Sequence, residues 1–269
     1  MDLSILQQPV SLSEEQIGYY AANGFIRIKE VLPADVIAYF NALISDKVAV
    51  LQAAAAPLEA RNTYGKAFLQ LCNLWTADEQ IKALIFSQRL ARLAAELMQV
   101  EGVRLYHDQA LFKEGGGGIT PWHADQHYWP LSSDKTVTAW IPLQATPLDM
   151  GPLEFSAGSQ QILAGRELSI SDTSEAVITK NLKINNLPHI VAPYDLGEVS
   201  FHSGWVFHRA GANTTDRLRK VMTIIYMDKD IRLKKPENSG QENDWHTWCP
   251  GVEVGQVVDS PLNPVLYAG

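Results

Sequence analysis

His123 and Asp125 stand two positions apart in Pro121-Trp122-His123-Ala124-Asp125-Gln126, and His208 and Arg219 follow far along the chain. In an extended strand residues i and i+2 project to one side, so this imidazole and carboxylate can converge on a single ion if residues 121–126 are extended. A third ligand has to come from another segment. His208 has the most telling surroundings: Gly204-Trp205-Val206-Phe207 precedes it, and Gly211-Ala212-Asn213-Thr214-Thr215-Asp216 leads into β-formers running to Tyr226. This reads as two antiparallel strands and their connection. A turn centred between Asn213 and Thr214 would set His208 directly opposite Arg219, about 4.5–5.5 Å apart at Cβ. Two imidazoles and one carboxylate leave about three positions of an octahedral ion open, a donor set suited to non-haem Fe(II). His202 is the rival third ligand, but Ser203-Gly204 interrupts the strand after it; His189 and His246 have no supporting neighbours.

The elements that must carry these residues change character along the chain. Ser13-Glu14-Glu15-Gln16 has the spacing of a capping box, with Ile17, Tyr20 and Ala21 at helical intervals and Gly24 as the stop. A strand over Phe25–Val31 follows. Pro33–Ala55, Asp78–Ser87 and Gln88–Val100 read as helices, so residues 1–102 are mainly α. From Val103 the period shortens to two. Val103, Leu105, His107, Gln109, Leu111 and Lys113 alternate with Arg104, Tyr106, Asp108, Ala110 and Phe112, and further strands are expected at Val137–Leu143, Pro152–Ser156, Val199–His202, Trp205–His208 and Arg219–Met227. Short strands without regularly intervening helices predict an antiparallel sandwich or barrel of jelly-roll or cupin type, with helices outside it. Gly115–Gly118 reads as a mobile connection before the His-x-Asp run. Residues 229–269 are expected to wrap the surface, with Trp245 and Trp248 anchoring them or, as the alternative, lining a pocket mouth.

Composition narrows the partners. The chain has 269 residues, 46% hydrophobic, with a formal net charge of −8 and no basic run, which disfavours a nucleic-acid surface and favours a small-molecule partner. A single domain over 1–269 is expected, with a core over 103–228 and a C-terminal wrap over 229–269. No uninterrupted apolar stretch reaches membrane-spanning length, and Met1-Asp2-Leu3-Ser4 lacks the order of a signal peptide, so a cytoplasmic location is expected. Cys72 and Cys249 have neither zinc-cluster nor disulfide-framework spacing. Oligomeric state is not legible.

His-x-Asp, a distal His208 in a His-x4-Asn run, and an Arg eleven residues after that histidine resemble the phytanoyl-CoA dioxygenase-like branch of the Fe(II)/2-oxoglutarate oxygenases. Phe25-Ile26-Arg27-Ile28 after a Gly-ended helix and Met150-Gly151-Pro152-Leu153 through Gly158-Ser159 extend the likeness, which runs from about Ser13 to Tyr226. The resemblance implies a mainly β fold with flanking α-helices around a double-stranded β-helix core. It also implies iron held by His123, Asp125 and His208, and oxidation of a small organic metabolite or natural-product intermediate. In that chemistry 2-oxoglutarate and O₂ are consumed, and succinate and CO₂ are released. Arg219 would pair with the far carboxylate of 2-oxoglutarate, because a planar guanidinium binds a carboxylate through two charge-assisted hydrogen bonds; Arg217 is the runner-up. Halogenases of the wider superfamily carry a small residue where Asp125 stands, so hydroxylation is expected over halogenation.

Around this centre, His107 and Gln109 are expected as cosubstrate or substrate contacts if their face of the Val103–Lys113 strand turns inward; Tyr106, Asp108 and Ala110 take that place otherwise. Trp140 matches a family tryptophan near 2-oxoglutarate, with core filler as the alternative. His127, Tyr128 and Trp129 form a candidate substrate wall or a packed loop. No basic patch offers itself to the phosphates of coenzyme A. Two other readings stay open: a cupin-like protein that binds metal or metabolite without turnover, and a metal-dependent isomerase or hydrolase on the same barrel.

Overall fold

Ser13 opens helix α1 (Glu14–Asn23) through a reciprocal pair of bonds: its hydroxyl accepts from the Gln16 N–H while Gln16 Oε1 accepts from the Ser13 N–H. Gly24, at φ +78°, closes the helix in the left-handed region and turns the chain into β1 (Phe25–Ile28). In the computed structural model, which describes residues 1–269, the N-terminal part continues through α2 (Ala34–Ala54), α3 (Thr63–Ala67), β2 (Leu69–Cys72), α4 (Glu79–Ile85) and α5 (Gln88–Met98). The core follows as β3 (Gly102–Lys113), β4 (Thr120–His123), β5 (Thr136–Pro142), β6 (Leu153–Ser156), α6 (Asp172–Ile184), β7 (His189–Ile190), β8 (Val199–Ser203), β9 (His208–Ala210) and β10 (Arg219–Asp228). The chain ends with α7 (Ser239–Trp248) and β11 (Val265–Ala268).

All strand pairs are antiparallel. The larger sheet runs β1-β8-β5-β10-β3-β11, with β2 also paired to β3, and the smaller runs β4-β9-β6-β7. This is the expected jelly-roll core, two sheets that face each other without closing. Leu90, Leu93, Leu97 and Met98 of α5 lie on one helical face and join Phe40 and Ile44 of α2 in a buried layer against the outer face of the larger sheet. That layer uses Met222, Ile224 and Tyr226 of β10, while Arg219, Val221, Thr223 and Ile225 face the opposite way, Val221 into a buried cluster with Trp140 and Phe155 and the other three into the cavity between the sheets.

Four local expectations change. First, His208 and Arg219 are not partners in a hairpin: β9 belongs to the smaller sheet and β10 to the larger. The connecting residues bond elsewhere instead of folding into a two-strand turn. Asn213 exchanges backbone bonds with Gly116 and Gly117, Thr214 N–H donates to Asp149 O, and the buried Asn213 side chain holds Lys113 O and Arg217 O. The segment therefore crosses between sheets. Second, Gly115–Gly118 is tied down rather than free, by those bonds and by Gly118 N–H to Lys66 O. Its glycines permit close approach; a Cβ on Gly115 would lie 2.7 Å from Thr215 O.

Third, β3 does not keep one parity. A bulge at Tyr106 shifts the register from Ile225↔His107 to Tyr226↔Leu105, so Val103 and Leu105 face the helices while His107, Gln109 and Leu111 face the cavity. Fourth, the strand expected at Trp205–His208 begins only at His208, after a turn. Three helices also stand where none was expected, the five-residue α3 and the longer α6 and α7. Helix α6 covers the outer face of the smaller sheet, where Ile178 and Leu182 pack with Trp122 and Phe207. Helix α7, within the C-terminal wrap, reaches the cavity.

Candidate active site

β4 and β9 bring the first two histidines together, with His123 directly opposite His208 in the ladder and their ring centroids 4.2 Å apart. A bulge in β4 sets both Thr120 and His123 inward although they are three residues apart. Extended geometry persists through Ala124 and ends there, because Asp125 opens a short 3₁₀ turn over Asp125–Tyr128; that is enough to keep His123 and Asp125 together. The expected extension to Gln126 is cut short by this turn.

His123 Nδ1 lies 2.7 Å from Pro121 O and His208 Nδ1 3.1 Å from Val206 O. A carbonyl only accepts, so each Nδ1 carries the hydrogen and each Nε2 presents a lone pair. Burial, followed by the neighbouring His208, lowers the His123 pKa and favours its neutral form. Both Nε2 atoms lie 3.5 Å from Asp125 Oδ1, another acceptor. Three acceptors aimed at one point repel unless a cation sits among them, and their ligand atoms all lie within 4.8 Å of one another. The residues fit a metal.

The other carboxylate oxygen is held from behind. Asp125 Oδ2 accepts from Thr138 Oγ1 at 3.1 Å and from His202 Nε2 at 3.2 Å, and Thr138 and His202 are direct partners across β5 and β8. His202 is thus a support for the carboxylate, and its Nδ1 is buried without a partner. Such supports commonly tune metal affinity by about 10–100-fold. We expect Thr138→Val and His202→Phe each to weaken divalent-metal binding by about that factor in a direct metal titration.

Arg219 lies at the start of β10, 2% exposed, while Arg217 is exposed. Its Nη1 donates to Gly151 O at 3.0 Å, its guanidinium carbon sits 5.6 Å from the Trp140 ring centre, and its Nε has no partner. No carboxylate of the chain pairs with it. Burial pulls its pKa down to about 10, against a smaller upward pull from Tyr194. The arrangement is a desolvated cation lacking an anion. Gly151 makes the anchor possible: it adopts φ +69°, and a Cβ there would meet Gly211 O at 2.2 Å.

Lys113, the ladder partner of Arg219, is wholly buried and bonds through Nζ to Gly118 O (2.5 Å), Gly211 O (2.9 Å) and Thr120 Oγ1 (3.4 Å). It clasps the glycine loop, the inter-sheet crossover and the start of β4. Burial and then Arg219 pull its amine down to about 6, from the ordinary 10.5. Between those values the unfolded chain binds a proton that the native chain lacks, so stability rises with pH there; the penalty is complete below the folded value and absent above the unfolded one. The unfolding free energy of the wild type, relative to Lys113→Met, should climb by about 1.4 kcal/mol per pH unit between pH 7 and 9 in urea titrations.

A cavity of about 340 Å³ joins these groups. His107 and Gln109 line it as expected, their side chains hydrogen-bonded to each other, and burial lowers the His107 pKa to about 4. Trp140, Tyr128 and Trp129 also line it. His127 does not: its ring turns to Ser169 Oγ. Trp245 anchors the wrap through Nε1 to Val252 O, whereas Trp248 lines the cavity and stacks on His107. Sequence reasoning missed Thr138, which shares the inward parity of Trp140 and was findable from it, and Asp244, which sits on the unanticipated α7.

The sequence pattern of the phytanoyl-CoA dioxygenase (PhyH) family matches residues 20–221. The 2-aminoethylphosphonate dioxygenase of an uncultured bacterium (HF130_AEPn_1) is 24% identical over 221 residues, 80% of this chain and 81% of that one. Among solved structures, the epimerase SnoN in complex with Fe3+, alpha ketoglutarate and nogalamycin RO has a TM-score of 0.76 at 22% identity, over 99% of this chain and 100% of that one. EctD from S. alaskensis with 2-oxoglutarate and 5-hydroxyectoine gives 0.72 at 17% identity, over 97% and 94%. At these identities the structural likeness establishes the shared fold.

Proposed function

The chain belongs to the phytanoyl-CoA dioxygenase family and is an Fe(II)- and 2-oxoglutarate-dependent oxygenase, and on that premise we propose that His123, Asp125 and His208 hold the iron and Arg219 the far carboxylate of 2-oxoglutarate. The substrate in this reading is a small organic metabolite or natural-product intermediate, and the reaction is hydroxylation. One observation carries the assignment: a metal-ready cluster of three acceptors and a buried guanidinium without a carboxylate partner line the same cavity.

Bound there, iron with 2-oxoglutarate and O₂ supplies a two-electron oxidation of a substrate C–H bond, with release of succinate and CO₂. The chain's part is positioning. Thr138 and His202 hold Asp125 Oδ2 so that Oδ1 faces the two histidines. Pro121 O and Val206 O fix both imidazoles with Nε2 free. Trp140 walls the guanidinium of Arg219 from water, where a carboxylate pair gains most. Tyr128, Trp129, His107 and Gln109 form the substrate wall.

Arg219 is the only lysine or arginine lining the cavity. With that cation committed to 2-oxoglutarate, no cation remains for a phosphonate or for the phosphates of a coenzyme A thioester, so neither is proposed as substrate. No helix is long and apolar enough to cross a membrane. The two free cysteines fit a reducing compartment, and we place the enzyme in the cytoplasm, acting as one unit over its whole length.

The test is spectroscopic and chemical. Anaerobic Fe(II) protein should develop a visible absorbance band on addition of 2-oxoglutarate, and O₂ should then produce succinate. No band and no succinate would refute the assignment.

A further inference from the structure

The part of the cavity away from the metal cluster contains one acidic group with no assigned task. Asp244 projects from α7 into the cavity wall, where Oδ2 accepts from Tyr106 Oη at 3.4 Å and the Trp248 side chain one turn along the helix also donates to the carboxylate. It takes part in none of the chain's ion pairs, which include every close Lys, Arg or His contact to a carboxylate. None of the lining's basic groups serves as its counter-ion, and His123, His202 and His208 face Asp125 instead. His107 is kept neutral by burial, its pKa lowered to about 4, and it is occupied with Gln109 and stacked on Trp248. Arg219 is bound to Gly151 O beside Trp140. The carboxyl is half-buried, and burial raises its pKa to about 7, so its charged form is disfavoured unless a cation accompanies it.

The cavity that Asp244 lines is also aromatic, with Tyr64, Tyr128, Trp129 and Trp248 among its lining residues. A carboxylate without a cation partner in an aromatic-lined cavity has the chemistry of a site for an organic cation. The carboxylate supplies a charge-assisted hydrogen bond to an N–H, and the rings attract the positive charge through their quadrupoles. We propose that Asp244 is a specificity-determining residue that binds a protonated amine of the substrate, so that the enzyme oxidises an amine-bearing small molecule. The proposal rests on the reading of this cavity as the substrate site of an oxygenase. It adds the charge of the substrate and the residue that reads it.

The experiment uses the full chain loaded anaerobically with Fe(II) and 2-oxoglutarate. Two matched trios serve as probes, 3-phenylpropylamine with 3-phenylpropanol and 3-phenylpropionate, and hexylamine with hexanol and hexanoate. Dissociation constants are measured by calorimetry or by quenching of tryptophan fluorescence. At least one amine should bind about ten-fold or more tighter than the alcohol of its own skeleton, the size of one charge-assisted hydrogen bond, and the carboxylates should bind weakest. Asp244→Asn should bring amine and alcohol to within about two-fold, while Asp244→Glu, which keeps the charge, should retain a preference for the amine. Alcohols binding as well as amines, an undiminished preference in Asp244→Asn, or no binding by either amine would overturn the proposal. The absorbance band with 2-oxoglutarate separates the two failures: its absence in the wild type rejects the oxygenase site itself, whereas a normal band with no amine preference rejects only the role of Asp244.

Discussion

Asp125→Ala is expected to strip the protein of tightly held iron and to bring 2-oxoglutarate-dependent turnover to background. The carboxylate is the only anionic member of the cluster, with Oδ1 3.5 Å from the Nε2 of both His123 and His208. Removing it leaves two neutral imidazoles, too few donors and too little charge to compete with water for Fe(II). The loss should exceed the about 10–100-fold expected for Thr138→Val or His202→Phe, which disturb only the oxygen turned away from the metal. The graded order matters more than either value. Metal content after dialysis, followed by titration with Fe(II), measures it; stoichiometric iron retained by Asp125→Ala would place the metal elsewhere. Asp125→Asn is the sharper control, since it keeps the shape and removes the charge. Its side-chain oxygen can still accept from Thr138 and His202, so folding should survive while metal binding falls.

The parts of this site that were legible in the sequence are those set by local geometry. The relation of His123 to Asp125 follows from extended-chain parity alone, and it holds although β4 stops at His123, because only the intervening Ala124 has to be extended. The inward face of β10 likewise follows from alternation, which separates buried Arg219 from Lys220. What sequence could not supply was which sheet a strand joins. Gly211–Leu218 looks like a hairpin turn, yet Asn213 finds its partners in Gly116, Gly117 and Lys113, more than ninety positions earlier, and so carries the chain across the sandwich. Register arguments fail wherever such a crossover replaces a turn. Bulges are the second blind spot: those in β3 and β4 reassign faces by one residue and leave no compositional mark. Third is α7, short and polar, held by Asn238 as its cap and by Gln241 bonding to His127 O, contacts that no periodicity announces. Asp244 entered the site through that helix.

The second large effect concerns Arg219, and it separates a functional cation from a structural one. Arg219→Ala should keep its iron and need far more 2-oxoglutarate, by a factor corresponding to about 2–5 kcal/mol for a desolvated charge pair. Half-saturation of the absorbance band reports this directly, without turnover. Stability should move in the opposite sense to that of a structural ion pair. The buried guanidinium has one protein acceptor, Gly151 O, and an unpartnered Nε, so without 2-oxoglutarate it carries a desolvation cost that no carboxylate offsets. Arg219→Met, similar in reach and apolar, is therefore expected to melt no lower than the wild type when 2-oxoglutarate is absent. Adding 2-oxoglutarate should then raise the wild-type melting temperature and leave that of Arg219→Met unchanged, because only a ligand that binds the native state shifts it. Arg217→Ala, at an exposed position, should alter neither quantity. Were Arg219→Met to lose stability without cosubstrate and still respond to it, the anion-binding role would have to pass to another residue. Lys113 would be the candidate by proximity, but its amine is already enclosed by Gly118 O, Gly211 O and Thr120 Oγ1 and does not line the cavity, which leaves Arg219 as the group free to meet the cosubstrate.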